Sequence, residues 1–255
     1  MQNLFFATAG AQLIVVDSAD FDGTNDKMER GSDLSGNADS KSGICSVWIR
    51  LDGGDGGAQR VITGSVSGGA PTNVLLEREA GNTFAVTGRN SVASDILFLR
   101  TSGTYTAGAT WLHILSSWNL AATVGHLYIN DVSDVDSGAT ILTDDTIDYT
   151  QNNYCIGSVV GGLGFLLNGC AAELYFAPGQ YLDFSIVANR RKFISSSGKP
   201  VYLGADGSAP TGTAPIVYQQ VANGAAVATF ATNLGTGGDF AITGTLVTGS
   251  TSPSD

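Results

Sequence analysis

"WLHILSSWNLAATVGHLYIND", residues 111–131, holds two alternating runs, 111–118 and 125–130, on either side of a small-residue turn. Alternation with a period of two, interrupted by a short turn, is the pattern of two antiparallel strands. In the second run Leu127 and Ile129 share one face, while His126, Tyr128 and Asn130 share the other. Burying a Leu or Ile side chain is worth roughly 1.5–3 kcal/mol, so the aliphatic face is expected to point inward. Trp111 and Trp118 fall on opposite faces of their strand, so at least one fills the core. Trp111 is read as structural, and His113, on its face, as a packed histidine. His126 and Tyr128 are the surface candidates.

Similar runs extend in both directions. Upstream are "QLIVV" (12–16), "ICSVWIRL" (44–51), "QRVITGS" (59–65), "NVLLERE" (73–79), "TFAVTG" (83–88) and "DILFLRT" (95–101). Downstream are "NYCIG" (153–157), "CAAELYFA" (170–177), "PIVYQQ" (215–220) and "DFAITGTLV" (239–247). Clusters of Gly, Asn, Asp and Ser separate them, as expected of an all-β sandwich of short strands. In "ICSVWIRL" the face of Cys45, Val47, Ile49 and Leu51 opposes Ser46, Trp48 and Arg50; in "AELYF" Leu174 and Phe176 oppose Glu173 and Tyr175. With the aliphatic faces inside, Trp48, Arg50, His126, Tyr128, Asn130, Glu173 and Tyr175 form an outward layer suited to a glycan or a protein partner.

One segment breaks the period of two. "DFSIVANRRKFI" (183–194) places Phe184, Val187, Arg191 and Ile194 at helical spacing, and Asp183 is positioned as an N-cap. It predicts a single short helix across one end of the sandwich, with "NRRK" (189–192) as its solvated face. A long connection (195–215) follows. The last strands are expected to rejoin the main sheets, because forty residues make a poor independent core. The organisation expected is one domain over 1–255: an arm or strand (1–19), a core (20–195) and an extension packing back (196–255).

Composition narrows the function classes. Against 23 acids the chain has 12 Lys and Arg, a net charge of −11, which disfavours a phosphate backbone as partner. No apolar stretch approaches the roughly 18 residues that span a bilayer, and the N-terminal ten residues lack the basic n-region of a secretory signal. Neither nucleic acid nor membrane insertion is expected. Cys45, Cys155 and Cys170 are odd in number and match no metal spacing, so they read as buried free thiols suited to a reducing cytoplasm. "DVSDVDSG", with Asp131, Asp134 and Asp136, is not spaced as an EF-hand loop and reads as a solvated acidic turn. No cofactor or metal is expected.

The order of "DFDGTNDKMERG", "CSVWIRL", "WLHILSSWN", "GHLYINDV", "YCIGS" and "LNGCAAELYFAPG" over about residues 20–195 resembles the laminin-G-like branch of concanavalin-A-like lectin/glucanase domains. The resemblance implies a two-sheet antiparallel jelly-roll sandwich with one short helix, and a lectin-like role. The chain departs from that pattern at Ala172, where relatives carry Asp before the Glu, and at Asn130-Asp131-Val132, in place of an Asp-Gly turn. The calcium-binding carboxylate set of some relatives has no clear equivalent. The region from "NRRKFISSSGKPVYLGADG" onward is similar to segments of structural proteins in tailed bacteriophages and gene-transfer particles. That implies a virion protein assembled in the host cytoplasm, a capsid decoration or appendage subunit. Its partners would be other virion proteins, its own copies as a homo-oligomer such as a trimer, and a host-surface glycan.

Catalysis is the weaker expectation. Glycosidases need two carboxylates flanking one bond, and the four glutamates are Glu29, Glu77, Glu79 and Glu173. Glu77 and Glu79 share a strand face, where alternating charge on an exposed strand explains them without chemistry. There is no G-x-S-x-G elbow, H-E-x-x-H or phosphate-binding loop. No catalytic residue is assigned, and the alternatives left open are a free-standing carbohydrate-binding module and a polysaccharide-acting glycosidase.

Overall fold

The computed structural model of the chain describes residues 12–66 and 71–255. In chain order the strands are β1 (Val16–Asp17), β2 (Ala19–Asp22), β3 (Lys27–Glu29), β4 (Ser42–Leu51), β5 (Gln59–Ser65) and β6 (Thr72–Arg78). Next come β7 (Phe84–Arg89), β8 (Asp95–Arg100), β9 (Leu112–Asn119), β10 (Val124–Ile129), β11 (Val132–Ser133) and β12 (Ile141–Leu142). β13 (Asn153–Ile156), β14 (Asn168–Pro178), β15 (Val217–Gln219), β16 (Val221–Ala222), β17 (Ala241–Thr243) and β18 (Val247–Thr248) complete them.

Two antiparallel sheets result. Sheet 1 runs β11-β10-β9-β4-β14-β2-β18, with β15 also paired to β14; sheet 2 runs β12-β8-β7-β6-β5-β13-β3-β17. β1 and β16 form a separate ribbon. The long runs appear where alternation placed them, β5 at the same residues and β9 and β10 within one residue of the expected ends. β2, β3, β11, β12 and β16 are additional, and most are too short to show a period. Residues 1–11 of the expected arm lie outside the described residues.

The aliphatic faces meet between the sheets. Val47, Ile49, Leu51, Ile114, Leu127, Ile129, Leu174 and Phe176 from sheet 1 form one buried cluster with Ile62, Val74, Leu76, Val86, Leu97, Leu99 and Ile156 from sheet 2. Trp118 is in this core, and its indole N–H donates to the Tyr149 hydroxyl at 2.8 Å. All three cysteines are free and buried, and burial pushes their thiols up to about 12.

The opposite face of sheet 1 corrects the expectation of an outward layer. Trp48 is 3% exposed, Glu173 2%, Tyr175 0%, Arg50 8% and Tyr128 9%. A second apolar cluster joins Ile44, Leu115, Tyr128 and Tyr175 of the sheet to Phe184, Phe193, Val201, Leu203 and Tyr218. A third joins Trp48 and Ala172 to Val16 and Ile194. Residues 184–203 and the N-terminal strand therefore form a cover over the sheet. A period of two shows which side chains oppose one another, not what lies over them.

The cover holds less helix than its spacing predicts. One turn, α1 (Val187–Arg190), is helical, and it starts after Ile186 without a side-chain cap. Asp183 instead accepts from the N–H and hydroxyl of Ser185 at 2.8 and 2.6 Å, closing a tighter local turn. Phe184 and Phe193 meet edge to face at 5.7 Å beneath the cover, whereas Val187 faces solvent. Seating these two rings on the sheet dictates the path. Nor is "NRRK" a solvated face: Arg190 is buried, and both Arg190 and Arg191 grip Asp131 at 2.6 Å.

β14 is the spine of sheet 1, bonded to β4, β2 and β15. Its register slips between Ala172 and Tyr175, and Glu173 sits at φ 51°, in a bulge. Sealed there, the Glu173 carboxyl is within 3.3–3.4 Å of the Tyr218 hydroxyl, and burial raises its pKa to about 8. In the unfolded chain a glutamate ionises near 4.3. Between those values the unfolded chain gives up this proton and the folded chain keeps it, so stability falls as pH rises and levels off above about 8. Glu173→Gln should flatten that slope. In denaturant unfolding at pH 5 and pH 8, the parent should lose on the order of 2–4 kcal/mol more than the variant; equal slopes would refute the assignment.

Candidate functional site

Where β4 ends and β9 begins, Trp48 stands opposite His113 across the strand pair. Their rings stack at 4.5 Å with 29° between planes, and His113 Nε2 lies 2.9 Å from the Ser46 hydroxyl. Burial lowers the His113 pKa to about 3, so the imidazole is neutral and acts as a flat support for the indole. This confirms it as a packed histidine.

The neighbouring wall comes from a strained turn. Asn130 and Asp131 have φ of 51° and 68°, and Ile129 pairs directly with Val132, a two-residue hairpin with both central residues left-handed. Asn and Asp tolerate that region best after Gly. The Asn130 carboxamide accepts from the His113 N–H at 2.7 Å and donates to the Trp111 carbonyl at 3.4 Å, which ties the turn to the entry of β9. Trp111 is half-buried there.

The C-terminal residues close the remaining side. Arg50 grips Asp52 with a two-pronged contact, Nε–Oδ1 2.9 Å and Nη2–Oδ2 2.8 Å, and its Nη1 donates to the Thr251 hydroxyl at 2.5 Å. The Trp111 indole N–H donates to the same hydroxyl at 3.2 Å, with the Arg50 guanidinium 6.0 Å from the indole centre. Ser18 and Ser254 stitch this tail to the N-terminal strand. Trp48, Trp111, Asn130, Lys199, Thr251 and Asp255 thus line an open pocket of about 460 Å³. Across the turn 195–199 lies a larger cavity of about 720 Å³, lined among others by Arg191, Lys192, Ser196 and Tyr202.

Of the seven residues expected to form a binding face, Trp48 and Asn130 line this pocket and Arg50 packs beside it. The remaining four are elsewhere. His126 sits near the sheet edge, 3.3 Å from Asp183 and 3.4 Å from the Tyr181 hydroxyl. Tyr128 lies under the Arg190 guanidinium at 4.6 Å, and Glu173 and Tyr175 are sealed. Trp111, read as structural, is the indole that remains partly open. Thr251 and Lys199 lie in polar segments with no periodic signal.

The acidic groups are mostly taken up by the fold. Arg60 pairs with Glu77, and Glu79 accepts from the Thr83 hydroxyl at 2.6 Å. In the acidic turn, Asp131 holds the two arginines, and Asp134 accepts from Ser102, Gly103 and Tyr105. Asp136 meets Arg100 at 2.6 Å. These carboxylates are joints, not a solvated turn. Asp20, Asp52 and Cys170 cluster as well, but the Arg50 guanidinium already supplies the positive charge there.

No family model and no curated protein matches the chain. Solved structures do. A candidate carbohydrate-binding protein from Bacteroides ovatus superposes with TM-score 0.52 at 12% identity, over 82% of this chain and 52% of that one. This chain therefore spans about half of that structure's length. The heptameric SAP-like pentraxin of Limulus polyphemus superposes with TM-score 0.50 at 12% identity, over 69% of this chain and 82% of the pentraxin. At such identity the likeness is one of fold: the chain is an antiparallel jelly-roll sandwich of the concanavalin-A-like kind.

Proposed function

We propose that the chain is a non-catalytic saccharide-binding sandwich, and that its setting is a virion appendage or capsid decoration. The observation that carries the binding reading is the pocket of Trp48, Trp111, Asn130 and Thr251, where indole surface and hydrogen-bonding groups converge. A sugar presents apolar C–H faces and a rim of hydroxyls, so it needs an aromatic plane beside a few fixed polar groups. The pocket volume lies within the roughly 300–1,000 Å³ typical of small-molecule sites. The Bacteroides ovatus structure, of the same fold, bears a name that agrees with this reading.

The carboxylates support the non-catalytic reading. A glycosidase needs two around the scissile bond, and Asp255 is the one carboxylate lining this pocket among the described residues. Glu77 and Glu79 have other partners.

The virion setting rests on the phage-like phrase from residue 189 onward and on an acidic chain that resists non-specific aggregation. Copies presented together on a particle, as a homo-oligomer such as a trimer, would multiply weak contacts with a host-surface glycan. A free-standing binding module is the alternative setting.

A glycan array should identify ligands for the purified chain, and Trp111→Ala should weaken them about tenfold, ~1.4 kcal/mol. Trp111→Phe, which keeps a ring, should lose less. An array without signal would overturn the binding reading. Bound oligosaccharide should release no new reducing ends on prolonged incubation, and release that Glu77→Gln abolishes would restore the glycosidase. Mass spectrometry should find the chain in purified particles; particles without it would remove the virion setting.

A further inference from the structure

All twelve lysines and arginines lie among the described residues, and nine are ion-paired with a carboxylate. That is expected where acids outnumber cations 23 to 12. The three without such a partner are Arg30, Lys192 and Lys199. Two of these three flank one turn.

That turn is rigid. The Ser195 N–H donates to the Lys199 carbonyl at 2.9 Å, and the Lys199 N–H donates to the Ser195 hydroxyl at 2.9 Å. Ser195, Ser196 and Ser197 line the larger cavity, and Gly198 and Lys199 line the smaller pocket, so the turn is the divide between them. On the larger side, Lys192 Nζ is held at 2.8 Å by the Pro210 carbonyl, a neutral acceptor that positions the charge without cancelling it. Arg191 lines the same cavity. Its Nη2 holds Asp131, while Nη1 is buried with no hydrogen-bond partner. Tyr202, 41% exposed, supplies a ring there, as Trp111 does across the turn. Against Lys192 and Lys199 the two linings contain one carboxylate side chain, Asp255, which already accepts from the Ser252 N–H at 2.7 Å.

We propose that the two cavities are subsites of one groove that takes an acidic polysaccharide, a sugar chain bearing carboxylate or sulfate groups. Lys192 and Lys199 meet its charges, while Tyr202 and Trp111 meet its rings. This rests on the saccharide reading of the smaller pocket and adds its ligand class and length. Nucleic acid fits less well. Duplex DNA carries a charge every 1.7 Å or so of its axis, whereas a uronate chain carries about one per sugar, a density that two lysines without carboxylate partners on a chain of net −11 can match.

The test uses paired probes that differ chiefly in charge: hexagalacturonate against its methyl ester, and sulfated cellohexaose against cellohexaose itself. In calorimetric titrations at 50 mM NaCl, at least one acidic probe should bind tenfold or more tighter than its neutral twin. At 500 mM NaCl that ratio should shrink, because salt screens exposed charges. In a Lys192→Gln/Lys199→Gln variant with unchanged melting temperature, the ratio should fall to within twofold of one. Tyr202→Ala should remove the gain in affinity from two to six sugar units. Equal binding of both pairs, or a ratio that survives the double variant, overturns the inference. If a neutral probe still binds in a Trp111-dependent way, the proposed function stands without it. A silent array together with no binding of any probe sinks both. Binding of a single-stranded DNA dodecamer as tightly as the acidic hexasaccharide also overturns the inference, because the groove would then read charge alone.

Discussion

The structure depends on the burial of sheet 1 from both sides. β14 sends Leu174 and Phe176 into the space between the sheets and Ala172 and Tyr175 into the layer beneath the cover. A strand buried on both faces takes its polar groups out of water, so partners inside are favoured. Glu173, displaced into a bulge, stays close to the Tyr218 hydroxyl and has its proton held on by burial; the Ser46 hydroxyl pairs with His113 Nε2. A third apolar layer thus carries polar islands whose charge is suppressed.

That layer makes the pocket possible. A bare sheet face would present a flat aromatic surface, but the cover and the C-terminal tail hide most of it and leave openings at their margins. At one margin the Trp48–His113 stack ends against Trp111, Asn130 and Thr251. The tail is fixed by Arg50, whose guanidinium serves Asp52, Thr251 and Cys170 at once. Its five donors in a planar fork allow one residue to join two strands and a tail.

Charge is used mostly as a fastener. Asp131, at a left-handed turn position, pins Arg190 and Arg191 of the cover to the β10–β11 hairpin, while Asp134 and Asp136 pin the following loop to residues 100–105. Such contacts are individually weak when exposed, but these are partly buried and repeat along one edge. With the acids so committed, Arg30, Lys192 and Lys199 are the cations left without a carboxylate partner.

The sequence by itself determined the sandwich. Alternation in "ICSVWIRL", "WLHILSSW" and "GHLYIN" marks both the strands and the aliphatic faces that join, because side chains in a strand alternate with a fixed period. It also identified Trp48 and Asn130, which do line the pocket, and His113 as a packed residue. It could not reveal that Tyr128, Glu173 and Tyr175 are covered, because a layer contributed by residues more distant in the chain leaves no mark on local periodicity. For the same reason, helical spacing in 183–194 overstated a segment whose path is dictated by seating Phe184 and Phe193. The tertiary structure alone decided that Trp111 is the indole left open, that Thr251 closes its pocket, and that Lys192 and Lys199 lack carboxylates. Each of these depends on which distant segments meet, and burial and charge pairing are properties of that meeting.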